Sequence, residues 1–157
     1  DMIVVDIPTH VRGYHADQSR TYCLGKASGK MRSLYEDLKQ IADHVIPQMK
    51  AGMKGGDICR IAFEKASSLN RAGEFQSFGS GRYSRLVGHG VGIELNEPPI
   101  LSANDTSVLD NDYVVTLELH MMDEQGGVVK LEDMIHIREG GNAILTRSPR
   151  ALSEIER

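Results

Sequence analysis

The sequence has no apolar run near the ~20 residues that a membrane-spanning helix needs, and no cluster of lysine and arginine anywhere in its 157 residues. The first absence excludes a helical span within the chain. The second, with a formal net charge of −4, leaves no electrostatic footprint for nucleic acid. Cysteine is scarce: Cys23 and Cys59 are isolated thiols without metal-site spacing and too few for a disulfide framework. Reduced, structural thiols point to a cytoplasmic protein. Internal repeats and low-complexity segments are also missing. What is present, 40% hydrophobic and 25% charged residues, is ordinary for a soluble globular domain and enough for one real core.

The chain opens on Asp1 and runs at once into MIVVDI, as a chain does that starts inside a domain. Met2 to Ile7 and Gly13 to Leu24 read as two strands joined across THVRG, a hairpin turning about Val11 and Arg12. From Met31 the period changes. Leu34, Leu38, Ile41, Val45 and Met49 form the apolar stripe of a helix, whose last turn Pro47 should kink or end. After AGMKGG, Asp57 is the expected N-cap of a second helix, through Ile58, Ile61, Ala62, Ala66 and Leu69, closed by Gly73. Glycines and serines then predict a loop to Ser84. Beyond it, VGHGVGIEL, DYVVTLEL, GGVVKLEDMIHI and NAILT read as strands, with a Glu-Pro-Pro turn after Asn96. The tail RSPRALSEIER reads as a loop and a short terminal helix. A hairpin, two helices and several strands, in that order, define an α+β domain.

Acidic residues inside these strands are the informative anomaly. Asp6 ends MIVVD, Glu118 sits inside VVTLEL and Glu132 inside VVKLEDMIHI. An ionised carboxylate taken out of water costs several kcal/mol unless it is paired or bound to a cation. Asp6 and Asp17, eleven positions apart, should face each other across the hairpin, where two carboxylates repel unless a proton or cation lies between them. A pairing of Glu132 with nearby Lys130 would explain one acid and leave three. His89 stands between Gly88 and Gly90, where missing side chains permit close approach. Four carboxylates and one imidazole make a hard, oxygen-rich ligand set, suited to two divalent ions and unlike a thiolate zinc site. Two such ions with shared carboxylates hold a hydroxide and polarise a carbonyl, which is hydrolase chemistry.

The ordered set Asp6, Asp17, DQSRTYCLG, GHGVGIELNEPP, TLELH and KLEDMIHIREGGNAILT resembles the pita-bread metallopeptidases. That family comprises the methionine aminopeptidases, Xaa-Pro aminopeptidases and prolidases, with creatinase as a metal-free relative. The resemblance covers essentially the whole chain and is closest to the Xaa-Pro group. It implies a curved antiparallel sheet with flanking helices, of which residues 1–157 would be the C-terminal portion of the catalytic domain, the first part and any N-terminal domain being absent. It also implies that Asp6 is a terminal ligand of one metal, that Asp17 and Glu132 bridge both, and that His89 and Glu118 complete the other. Glu118 would shuttle the proton. The ions would be manganese first, otherwise cobalt, iron or zinc. The partner would be a peptide substrate cleaved at its N-terminal bond, with Xaa-Pro the expected specificity, in a homodimer without nucleic acid or membrane.

Three positions depart from the family pattern. Asn96 stands seven positions after His89, where the family commonly has a second histidine that donates to the substrate or tetrahedral intermediate. An amide can still donate, but it carries no proton or positive charge at neutral pH. Asn96 is therefore expected as a catalytic donor with weaker or differently directed oxyanion stabilisation. Arg85 stands where Xaa-Pro aminopeptidases often have a histidine, and Lys130 replaces an arginine, keeping the charge but not the bidentate fork. His15 and His120 are near enough to the ligands in sequence to support them. A metal-free creatinase-like hydrolase or a non-catalytic peptide-binding module are the alternatives, and both tend to shed ligands that this chain retains.

Overall fold

The computed structural model describes residues 1–156. Ten strands and two helices follow in the order β1 (Met2–Asp6), β2 (Thr9–Val11), β3 (Tyr14–Ala16), β4 (Ser19–Leu24), α1 (Gly29–Val45), α2 (Gly55–Ser68), β5 (Leu86–Gly90), β6 (Glu97–Ser102), β7 (Val114–Met122), β8 (Val128–His136), β9 (Ala143–Ile144) and β10 (Ser153–Ile155). The main sheet runs β1-β4-β8-β7-β5-β6, with β9 on β8 and β10 on β4. All its pairings are antiparallel except β10 on β4, which is parallel. This is the expected α+β, pita-bread architecture.

Alternation along β7 and β8 divides the sheet into two chemical faces. Val115, Leu117, Leu119 and Met121, with Val129, Leu131 and Ile135, enter one continuous core with Leu34, Leu38, Ile41 and Val45 of α1 and Ile58, Ala62 and Ala66 of α2. Both helices therefore cover the same face. Thr116, Glu118 and His120, with Lys130 and Glu132, alternate onto the other face, where the acids collect.

Ser28 caps α1 by accepting from the Met31 amide at 3.2 Å. The helix ends at Val45, and Pro47 lies in a short 3-10 turn, Ile46–Gln48, as its fixed φ predicts. Five expectations are corrected, the hairpin last. Helix α2 starts two residues before Asp57, because its first free amides find backbone acceptors instead of a side-chain cap: Gly55 N–H donates to Ser107 O and Gly56 N–H to Asp105 O. Its left-handed terminal residue is Asn70 at φ 57°, not Gly73. The segment Glu97-Pro98-Pro99 opens strand β6 rather than a turn, its Glu97 pairing with Gly90. The tail forms β10 instead of a helix: β8 pairs with β4 only at Ser19, and Ser153–Ile155 fill the backbone groups thereby left open at Tyr22–Leu24.

The hairpin correction matters most for the site. Its turn is one residue later than expected, at Arg12 and Gly13, both with positive φ of 54° and 87°. Every pairing shifts by two, so Asp6 faces Ser19 and not Asp17. The ribbon is also bent: Ile7 N–H donates to Gln18 O, Pro8 has no amide to continue the ladder, and β2 and β3 form a separate two-stranded piece. Asp17 lies at this bend.

Candidate metal centre

The carboxylate cluster is built from register. Asp6 faces Ser19 across β1 and β4, Ser19 faces Glu132 across β4 and β8, and Glu132 faces Glu118 across β8 and β7. Directly opposed residues share a face, so three acids and one hydroxyl form a single row over four neighbouring strands. Asp17, carried off the ladder by the ribbon's bend, joins from one side.

His89 joins from the other side through an irregularity in β5. Val87 is in the helix-facing core, and a residue two positions on would ordinarily share its face. The register of β5 shifts on both sides of His89, however, and turns the imidazole to the acid face. Gly88 makes this possible: a Cβ there would lie 2.1 Å from the Thr116 carbonyl oxygen. The His89 amide donates to the Thr116 hydroxyl at 3.2 Å. Its Nδ1 is 3.0 Å from Gly90 O, which can only accept, so Nδ1 is the donor and Nε2 is the nitrogen turned to the acids. That Nε2 lies 4.0 Å from Asp17 Oδ2.

Two groups of potential ligand atoms result, Asp17–His89–Glu132 and Asp6–Glu118–Glu132, each with its atoms within 4.8 Å of one another. All five expected ligands are thus assembled, with Glu132 common to both groups. The grouping differs from the implied one twice: Glu118 lies with Asp6 rather than with His89, and Asp17 falls in one group only, so that Glu132 alone is common to both.

The electrostatics of this cluster favour a cation. Burial, with the charges of Glu118 and Asp17, pushes the Glu132 carboxyl up to about 8. Burial and the Asp6 charge raise Asp17 as well. Asp6 pays a burial cost too, but hydrogen bonds from Lys130 and Ser19 hold it below the usual range. The Ser19 hydroxyl lies 2.8 Å from Asp6 Oδ1 and 2.9 Å from Glu132 Oε2, yet its single proton serves one of them at a time. Asp17 Oδ1 and Glu132 Oε1 are buried and have no hydrogen-bond partner among the described residues. Buried carboxylate oxygens without donors, beside an imidazole nitrogen, fit divalent ions.

Glu118 is half-buried and lines a cavity of about 300 Å³ with Phe78, Leu86, His120 and Lys130. A surface depression of about 780 Å³ around Lys30, Tyr83 and Asp123 touches none of these five residues. Asn96 is exposed in the turn before β6, and its amide makes no hydrogen bond among the described residues. His15 is tied by Nδ1 to Ile93 O at 2.8 Å, bracing the turn that follows His89. His120 stacks on Phe78 with ring centroids 4.8 Å apart. Its Nε2 is buried with no hydrogen-bond partner among the described residues, and burial lowers its pKa.

Two supporting groups escaped the sequence reading. Arg20, almost fully buried on the helix side, donates to Ser19 O at 2.9 Å and Glu132 O at 2.6 Å, clamping β4 to β8 where the ladder is thinnest. It pairs with Asp133 at 2.6 Å, which Arg150 also engages at 2.7 Å. The signal was legible in the neighbouring acids of LED: adjacent strand residues point to opposite faces, so Asp133 needed a partner of its own.

Residues 1–139 match the sequence pattern of metallopeptidase family M24. The chain belongs to that family. It is 31% identical to the uncharacterized peptidase YqhT of Bacillus subtilis over 153 residues, which are 97% of this chain and 41% of that protein. An Xaa-Pro dipeptidase of Pyrococcus furiosus is likewise 31% identical over 153 residues, with the same coverage. The fold superposes on an X-Pro aminopeptidase from Thermotoga maritima with a TM-score of 0.88 at 25% identity, over 98% of this chain and 41% of that one. The chain therefore spans about two fifths of the length of these relatives.

Proposed function

We propose that Asp6, Asp17, His89, Glu118 and Glu132 hold two divalent ions, and that the protein hydrolyses the N-terminal bond of peptides, with proline preferred at the second position. The observation that carries this reading is the pair of ligand groups sharing Glu132, with buried, donor-less oxygens on Asp17 and Glu132. Such ions, when bound, supply Lewis-acid polarisation of the scissile carbonyl and an activated water. The oxygen-rich donor set favours manganese among them. The names of the relatives from Pyrococcus furiosus and Thermotoga maritima support the Xaa-Pro preference.

In this reading the chain is the ligand-bearing portion of a larger catalytic domain, in keeping with its share of its relatives' length. Glu118 is the general base and acid. It is the ligand that borders the cavity, so its carboxylate can take a proton from the attacking water and return it to the leaving amine. The exposed Asn96 amide offers a donor to the developing oxyanion. The free thiols of Cys23 and Cys59, both buried, suit the cytoplasm.

The experiment is metal analysis of the purified full-length protein after loading with manganese or cobalt; finding no bound transition metal removes the reading. In the full-length protein, a panel of Xaa-Pro, Met-Xaa and generic dipeptides then decides the substrate. No proline preference there removes the specificity. Glu118→Gln should lower kcat by about 10²- to 10⁴-fold.

A further inference from the structure

Lys130 brings an ammonium into the acid cluster. It projects from β8 on the same face as Glu132 and lies opposite His120 of β7. Its ammonium is 2.5 Å from Asp6 Oδ2, 2.7 Å from Glu118 Oε1 and 3.8 Å from Glu132 Oε2. These are the three residues of one ligand group and, apart from the shared Glu132, none of the other. In the Asp17–His89–Glu132 group the situation differs: among the described residues no ammonium or guanidinium pairs with Asp17, and Asp17 Oδ1 and Glu132 Oε1 are left without donors. One half of the cluster is partly neutralised by the protein's own ammonium and the other half is not.

We infer that Lys130 is a built-in cation for the Asp6 half, so that the centre fills in order: one ion enters the Asp17–His89–Glu132 half, and a second enters beside Asp6 only by expelling the Lys130 ammonium. The inference rests on the proposal that this cluster binds two ions. An ammonium and a divalent ion seek the same carboxylate oxygens at similar distances, about 2.0–2.6 Å for the ion, so they exclude each other. Like charges at that spacing also repel strongly. The lysine has somewhere to go. Its stem is flexible, and it lines the cavity of about 300 Å³ beside Glu118, His120 and Phe78. An arginine, with a planar fork fixed by two hydrogen bonds, would not offer the same exchange.

The test is a calorimetric titration of the metal-free chain with Mn²⁺, its stoichiometry fixed by equilibrium dialysis, in the wild type and in Lys130→Gln. The wild type should take up one ion tightly and a second about tenfold or more weakly, or not at all. Lys130→Gln should tighten the second step by about tenfold or more while moving the first by less than about threefold. Acetylation of Lys130, quantified by mass spectrometry along the wild-type titration, gives a reading that needs no variant. It should be slow with no ion or one ion and rise severalfold as the second ion binds. Two ions bound with equal affinity in both proteins, a single ion in both, or acetylation unmoved while a second ion binds would overturn the role of Lys130 and leave metal binding standing. No ion in either protein would overturn the centre and this inference together.

Discussion

Without metal, Glu132 should make the protein lose stability as pH rises. Its carboxyl titrates near 4.5 in an unfolded chain and at about 8 in the fold, driven up by burial and by Glu118 and Asp17. Below pH 4.5 both states hold the proton and the group contributes nothing; between 4.5 and 8 the folded state holds a proton that the unfolded state releases. Stability therefore falls across that window. At 1.36 kcal/mol per unit, the loss from this one group is about 5 kcal/mol by pH 8. That is a large part of the about 5–15 kcal/mol that holds a domain together.

Its neighbours shape the rest of the curve. Asp17 is raised and acts in the same sense, while Asp6 is lowered, so its contribution is present above its unfolded pKa and disappears in acid. His120 is lowered from 6.5, so its stability is lost as pH falls through its folded pKa, opposing Glu132 below 6.5. Replacing Glu132 by Gln isolates the effect. Urea unfolding of the metal-free proteins should give similar midpoints at pH 5. At pH 8 the Gln variant should unfold about 2 M later, taking an m-value of about 2 kcal/mol/M. Saturating Mn²⁺ should restore the wild type and do little for the variant, because the ion requires the ionised ligand. Parallel pH curves for wild type and Glu132→Gln between 5 and 8 would refute the reasoning.

Arg20→Met should cost about 3–5 kcal/mol in urea unfolding, because it leaves buried Asp133 with one guanidinium fewer and frees the Ser19 and Glu132 carbonyls. The double variant Arg20→Met with Asp133→Leu should recover part of that loss. Gly88→Ala should destabilise by about 1–3 kcal/mol or more and weaken Mn²⁺ binding, since its Cβ would meet Thr116 backbone at 2.1 Å and displace His89; calorimetry and unfolding together check both effects. Asn96→His should leave stability within about 0.5 kcal/mol, as expected of an exposed side chain without hydrogen bonds, and keep or raise peptide turnover in the full-length protein. A large loss of turnover would show that the amide has a role an imidazole cannot fill.

Much of the fold was legible because local periodicity survives folding. The α1 stripe from Leu34 to Val45 and the stop at Pro47 needed only a helical period and a fixed φ. Alternation sets Glu118 on one face of VVTLEL with Thr116, and Glu132 on one face of VVKLED with Lys130, but only the β7–β8 register brings the two acids onto the same face. What failed did so for non-local reasons. The partner of Asp6 depends on where the hairpin turns, and a one-residue error there exchanges Asp17 for Ser19. Helix α2 begins early because the distant Ser107 and Asp105 supply acceptors.

The sequence by itself determined the chemical inventory: four carboxylates and one imidazole in or beside strands, where burying an unpaired carboxylate is costly. Only the tertiary structure decided how they divide. The bend at Pro8 brings Asp17 to His89, the irregular β5 turns His89 toward the acids, and the β4–β8 register lets Glu132 serve two groups. Only the fold, too, put the Lys130 ammonium among Asp6 and Glu118, 124 and 12 positions away in sequence. Periodicity fixes which face a side chain takes, whereas the distance between charges depends on strand register and backbone bends, which are settled by contacts far apart in the chain.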